Sequence, residues 1–232
     1  MDEHFLFLLN QRWTHPVLDW FLGTLSCLDF WVPVFVCAAL WLILRRGLRG
    51  QTLVALALFG ITANEYGLSQ PLKSFTKKPR PHEALANVRR VNLAPAKPRF
   101  LALFKPLAIS RSGPPPTTFG PKSRRSFPSA HVMNATTLAL LLTLSGGSSL
   151  WLLLPPLMAW SRVYTGAHWP SDVTSSLLLG SLWTLLYLVL LETLWQRWVP
   201  QKSPHWIAQL PRLILPKSLA SIAPTPLPPG SR

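Results

Sequence analysis

Acidic side chains are scarce in this sequence: eight Asp and Glu stand against 23 Lys and Arg, and none falls between Glu83 and Asp172. Thirteen of the cations lie between Lys73 and Arg125, so the formal net charge of +15 is concentrated in one segment. Such a segment predicts an anionic partner at a membrane surface. Nucleic acid, the other usual partner of a basic chain, is disfavoured because these cations adjoin apolar helix ends. Cysteine is scarcer still. Cys27 and Cys37 lie ten apart in apolar sequence with no second pair. That excludes a disulfide framework and a zinc pattern, and it predicts two small buried apolar side chains. The start, Met1-Asp2-Glu3-His4, lacks the basic region of a cleaved signal peptide, and no small-residue cleavage site follows. The first strong apolar span is therefore expected to act as an uncleaved insertion signal. No internal repeat is present.

Long apolar sequence is abundant. Five stretches, at about 30–44, 52–72, 132–144, 150–164 and 173–195, have the apolarity of membrane helices. Tryptophans such as Trp31, Trp151, Trp195 and Trp198 fall near their ends, where aromatic rings prefer the headgroup layer. Before them, Asn10, Gln11, Arg12, His15 and Asp19 interrupt an apolar stretch that reads as interfacial helices or one short further span. The fold class expected is all-α, a polytopic transmembrane helix bundle with five or six membrane helices and an active site at one membrane face. Its expected parts are 1–29, interfacial or partly inserted helices, and 30–198, a transmembrane domain with a long basic loop at 82–127. A Pro-rich tail, 199–232, completes the chain, with 206–215 lying on the membrane and the last residues disordered.

With five spans, the loops after the second and the fourth share one face, and the chemically informative residues lie in or beside those loops. Lys73 reaches the surface at the end of the second span, with Arg80-Pro81 seven residues on. If the helix persists up to Pro79, positions seven apart face nearly the same way, and both cations can grip one phosphate. Pro128-Ser129-Ala130-His131 opens the third span: Ser129 is a candidate N-cap, and the free N–H groups beside it form an oxyanion site. Ser161-Arg162, His168 and Asp172 flank the fifth span, which Pro170 opens. His168 and Asp172 are four apart, close enough for the carboxylate to hold one ring nitrogen and leave the other's lone pair free to attack. Taken singly, each has a plainer reading: snorkelling cations, a serine cap, an interfacial histidine, a capping aspartate. Glu65, an acid inside the second span, is either a functional carboxylate or a structural partner.

Taken together, Lys-x6-Arg-Pro, Pro-Ser-x-His and Ser-Arg-x5-His-x3-Asp, in that order, resemble the phosphatidic acid phosphatase type 2 and vanadium haloperoxidase superfamily. The resemblance covers about residues 30–195, and position 130 departs from it, with Ala where the family has Gly. It implies that His168 is a nucleophile forming a phosphohistidine, that Asp172 orients it, and that His131 protonates the leaving oxygen and then activates water. Lys73, Arg80, Arg162, Ser129 and the Ala130 N–H would hold the phosphate oxygens. No metal and no cofactor are implied, and vanadate is expected to inhibit. The substrate expected is a membrane lipid phosphate or pyrophosphate, of phosphatidic-acid or undecaprenyl-pyrophosphate type, with the bilayer as the other partner. The alternative is a non-catalytic anionic-lipid binder or transporter, which needs the cations but neither His168 nor Asp172. The family pattern places the site on the periplasmic or outer face of the cell's inner membrane. Arg45, Arg46 and Arg49 agree, and the basic loop pulls the other way.

Overall fold

The computed structural model describes residues 1–117, 125–202 and 210–214. Its helices are α1 (Asp2–Phe7, continued by a π turn over Leu8–Arg12), α2 (Pro16–Leu25), α3 (Leu28–Thr62), α4 (Gln70–Thr76), α5 (Pro81–Ala84), α6 (Ala130–Leu144), α7 (Leu154–Tyr164) and α8 (Pro170–Lys202). A π-helical segment, Ala63–Ser69, joins α3 to α4. Gly47, at φ 53° and ψ −133°, breaks α3 into two arms, a conformation open to glycine alone. The chain folds back there: a Cβ on Gly50 would lie 2.0 Å from the Leu42 carbonyl oxygen. The first two expected spans are the arms of this hairpin.

Helix α6 sits at the centre, with α8, α7 and α3 packed against it. Near its start, Val132 packs with Leu6, Val88, Val163, Trp169 and Val173. Toward its other end, Leu141 packs with Leu53, Leu56, Tyr187 and Leu188. A polar network crosses the bundle between them. Asn64 Nδ2 donates to Asn134 Oδ1 at 3.0 Å and to Thr137 Oγ1 at 2.9 Å, and Thr137 shares a 2.7 Å hydrogen bond with Thr184. Buried polar groups satisfied in this way fix the register of helices whose apolar contacts alone would allow sliding.

The stretches Leu28–Ala84 and Pro170–Val199 are long and apolar enough to cross a bilayer, and Ala130–Leu144 is a shorter apolar helix. The 11 residues of α7 rise only about 16 Å, against a hydrocarbon thickness of about 30 Å. Two stretches therefore qualify by length and composition, the first of them folded at Gly47 into two arms. Leu178, Leu182, Leu186 and Leu190 are all exposed on α8, four apart and therefore in one stripe. A face that long and that apolar suits lipid rather than water.

Three expectations are corrected. First, the fold is mostly helical but not all-α: the basic loop contains β1 (Arg89–Asn92) and β2 (Ala108–Arg111), paired antiparallel with Val91 opposite Ile109. Second, the polar residues of the first 25 do not all face outward: two of them are partners inside the protein, beside buried leucines. Leu6 and Leu22 are fully buried. Asn10 donates to the carbonyls of Arg89 and Tyr164 at 2.9 and 2.7 Å and accepts from the Arg89 N–H at 2.8 Å. Asp19 accepts from the Arg89 guanidinium at 2.8 Å and from the Tyr164 hydroxyl at 2.5 Å. Asn10 and Asp19 are thus interior partners, whereas Arg12 and His15 are exposed. Third, Cys37 is exposed and Cys27 half-buried, with Cys27 Sγ 3.1 Å from Arg99 Nη2. Glu65 has a structural partner, Gln70, whose amide donates to it at 2.5 Å. Residues 118–124 of the loop and most of the tail, including 206–209 and 215 of the expected membrane-lying segment, lie outside the described residues. The piece that is described, 210–214, returns to α8, where the buried Glu192 accepts from the Leu213 N–H at 2.9 Å.

Asp19→Ala leaves Arg89 buried without its charged partner, which costs about 3 kcal/mol. The expected readout is a fall of about 6–12 °C in the thermal midpoint of the detergent-solubilised protein.

Candidate active site

Three connections deliver the residues singled out in the sequence. Helix α4 ends at Thr76, and Lys77 turns left-handed at φ 46°. Lys73 and Arg80 are therefore not on one continuous helix, as expected from Pro79; Arg80 instead precedes α5 as its N-cap, its N–H held by Glu83 at 2.9 Å. They still converge, because the charges of Arg162, Lys73 and Arg80 all act on His131. Ser129 is the N-cap of α6 by position but makes no side-chain cap bond. Its N–H is taken by Ser176 Oγ at 2.8 Å, so the contribution left to it is its hydroxyl. Ala130 and His131 follow in the first turn.

The third connection is the tightest. After α7 the chain turns back on Arg162, whose carbonyl accepts from the N–H groups of Ala167 and His168 at 3.0 and 3.2 Å. The turn needs Gly166: its φ is +68°, and a Cβ there would lie 2.4 Å from the Arg89 carbonyl oxygen. His168 is thereby fixed beside Arg162. Arg162 is itself held by the Ser26 carbonyl at 3.2 Å and by the Ser26 hydroxyl.

Hydrogen-bonding capacity is left over here. Ser129 Oγ, Arg162 Nε and His168 Nδ1 are buried with no partner. Among the described residues, the side chains of Lys73, Arg80 and His131 make no hydrogen bond or ion pair either. Buried polar atoms are ordinarily paired, so a cluster of unpaired ones on residues from three chain segments marks a place shaped for an anion. Burial pushes the His168 imidazole well below its ordinary value, and the Arg162, Arg80 and His131 charges push it further the same way. The ring is held neutral, with a lone pair to offer.

Asp172 departs from expectation. No hydrogen bond joins it to the His168 ring among the described residues. One carboxylate oxygen accepts from Ser126 Oγ at 2.5 Å and from the Trp169 N–H at 3.3 Å, and the other accepts from Lys78 Nζ at 2.7 Å. At the third position of α8, it reaches back to the N–H of the preceding cap residue, as acidic residues at helix starts do. It thus grips the backbone next to His168, and Ser126, whose carbonyl faces the ring. Lys78, Ser126 and Ser176 were not singled out in the sequence. Lys78 carried a faint signal as a cation in a proline-framed loop two residues before Arg80. The two serines carried none, since their contacts span 46 and 47 positions.

The family model described as the PAP2 superfamily matches residues 52–196, more than half of the sequence and all three connections. The chain belongs to the PAP2 superfamily. Among curated relatives, the decaprenylphosphoryl-5-phosphoribose phosphatase of Mycobacterium tuberculosis is 46% identical over 59 residues, 25% of this chain and 33% of the relative. The undecaprenyl-diphosphatase of Sulfolobus acidocaldarius is 42% identical over 59 residues, 24% of this chain and 29% of the relative. These alignments span about a third of the relatives' length. Of solved PAP2-like folds, Aquifex aeolicus LpxE superposes with a TM-score of 0.54 at 25% identity, over 80% of this chain and 93% of its own. A PAP2-type phosphatidylglycerolphosphate phosphatase from Bacillus subtilis shares the fold at TM-score 0.52 and 21% identity, over 80% of this chain and 81% of its own.

In ¹⁵N-histidine-labelled protein, His168 is expected to stay neutral below the usual imidazole midpoint of about 6.5. Vanadate should raise its midpoint, because an added oxyanion offsets the guanidinium charges. A free-protein midpoint at or above the usual value would contradict the arrangement described.

Proposed function

We propose that this chain is an integral-membrane phosphatase that hydrolyses a lipid phosphate or lipid pyrophosphate through a phosphohistidine on His168. The observation that carries this reading is the buried imidazole set among unpaired donors. Lys73, Arg80, Arg162, the Ser129 hydroxyl and the Ala130 N–H hold the phosphoryl oxygens; guanidinium forks suit that task. The His168 lone pair attacks phosphorus as the bond to the leaving oxygen breaks, and His131 protonates that oxygen. Asp172 stabilises the positive charge left on the imidazole. Water activated by His131 then cleaves the phosphorus–nitrogen bond, releasing phosphate and restoring His168.

The apolar faces of α3 and α8 support an enzyme whose substrate keeps its tail in the bilayer while the headgroup reaches the cations. The names of the curated relatives describe polyprenyl phosphate and diphosphate lipids, which makes polyprenyl (pyro)phosphates the first candidates, with phosphatidic-acid-type lipids next. Residues 30–198 form the phosphatase domain in this reading, crossing the membrane five or six times. The cations at the Gly47 fold-back lie at the tip of the α3 hairpin, whose Leu53 and Leu56 pack with Leu141 rather than with the start of α6. They favour a cytoplasmic position for that turn and a periplasmic or outer position for the site, in the cell's inner membrane.

The test is phosphate release by the purified protein from a panel of polyprenyl and phosphatidyl lipid phosphates, with and without chelator. Release should survive chelator and vanish in His168→Ala. His131→Ala should slow turnover by about 10²–10⁴-fold, and Arg80→Lys should lose much of the rate by giving up the bidentate fork. Full activity in His168→Ala, or none in chelator, would sink the mechanism; lipid binding without any turnover would favour a carrier.

A further inference from the structure

We propose that Lys78 is a positioning residue for the reaction, acting on His168 through Asp172. This rests on the phosphatase reading above and adds a residue that lies outside the three motifs. Asp172 is 1% exposed, and an ionised carboxylate so deeply buried needs a charged partner. Its one ion-pair partner among the described residues is Lys78, at 2.7 Å.

Lys78 is itself held on several sides. Its Nζ donates to Ser171 Oγ at 3.0 Å, lies 3.8 Å from Asp2 and sits 5.6 Å from the centre of the Trp169 ring. Asp2 in turn accepts from the Ser171 N–H at 2.8 Å and from its hydroxyl at 2.5 Å. The Lys78 carbonyl accepts from the Ser126 N–H at 2.9 Å. One lysine thus touches, by side chain or backbone, both groups that Asp172 uses to frame His168: the Ser126 segment and the start of α8. Without that charge, the buried carboxylate keeps only the Ser126 hydroxyl and the Trp169 N–H on one oxygen, and the frame that aims the imidazole lone pair loosens. A contact with the substrate's own phosphate is a different role. Lys78 Nζ points instead to a carboxylate, which is what makes the two roles separable by experiment.

Lys78 is about one-third exposed, so its variants are expected to fold. In Lys78→Met, turnover per active site on the best lipid phosphate should fall about 10–100-fold, the size usual for a residue orienting a reactive one. KM should stay within about threefold and the number of vanadate-binding sites per protein should not change. Lys78→Arg keeps the ion pair and should recover most of the rate. A rise in KM with turnover unchanged would make Lys78 a substrate ligand and overturn the proposal. So would wild-type turnover in Lys78→Met, a loss of vanadate sites matching the loss of rate, or an Arg variant as slow as the Met one. If wild-type protein releases no phosphate, or His168→Ala releases it normally, the phosphatase reading has failed instead.

Discussion

The site depends on the stitching of the loop that carries Arg80 to the loop that carries His168. Four contacts join them: Lys78 to Asp172, the Pro79 carbonyl to the Trp169 indole at 2.8 Å, His82 to the Gly166 carbonyl at 3.0 Å, and Lys78 again to Ser171. Neither loop has a core of its own. The cations on one repel those on the other, while Ala84, Leu85 and Val88 on the first side share an apolar cluster with Trp169 on the second. The hydrogen bonds and the ion pair add to that cluster in offsetting the electrostatic cost of bringing Lys73, Arg80 and Arg162 together. An anion arriving there would relieve the same repulsion.

The amino-terminal residues take part in that assembly. Asp19 neutralises Arg89, Asn10 bridges the β1 backbone to the end of α7, and Ser26 holds the Arg162 guanidinium. Each of these stands before the region matched by the family model. The three motifs carry the candidate site residues, whereas Asn10, Asp19 and Ser26 hold the chain around them. Buried polar pairs of this type contribute specificity more than net stability, which fits a segment whose task is alignment.

Much of this was legible in the sequence, and the misses have a common cause. The three motifs located His168, His131, Arg162, Lys73 and Arg80 because reactive side chains at fixed spacing leave a local pattern. The apolar stretches located the helices, since a 3.6-residue period and high apolarity are local too. The short strands at Arg89–Asn92 and Ala108–Arg111 were missed: four residues in a Pro-rich basic loop give no period to read, and their pairing is fixed by the surrounding turns. The role of Asn10 and Asp19 was misread because a polar residue in an apolar helix looks the same whether it faces headgroups or a buried arginine. The Asp172–His168 ring bond was expected from spacing alone. Spacing brings two residues near, but it does not decide between a ring nitrogen and the backbone N–H beside it, and in the structure the helix start takes the carboxylate.

Helix α8 carries two buried carboxylates, Asp172 at its start and Glu192 farther along, each fastened to chain from outside the helix. Twenty residues of α-helix separate them, about 30 Å, which is the thickness of the hydrocarbon layer itself. On the proposed transmembrane reading, the helix is pinned near both leaflets, like a strut bolted at each end. Vertical drift of the rod would pull one acid or the other off its partners. On that same reading the His168 imidazole, one turn from the upper bolt, would sit at a set depth, and the membrane's own thickness would gauge how long a headgroup can reach it.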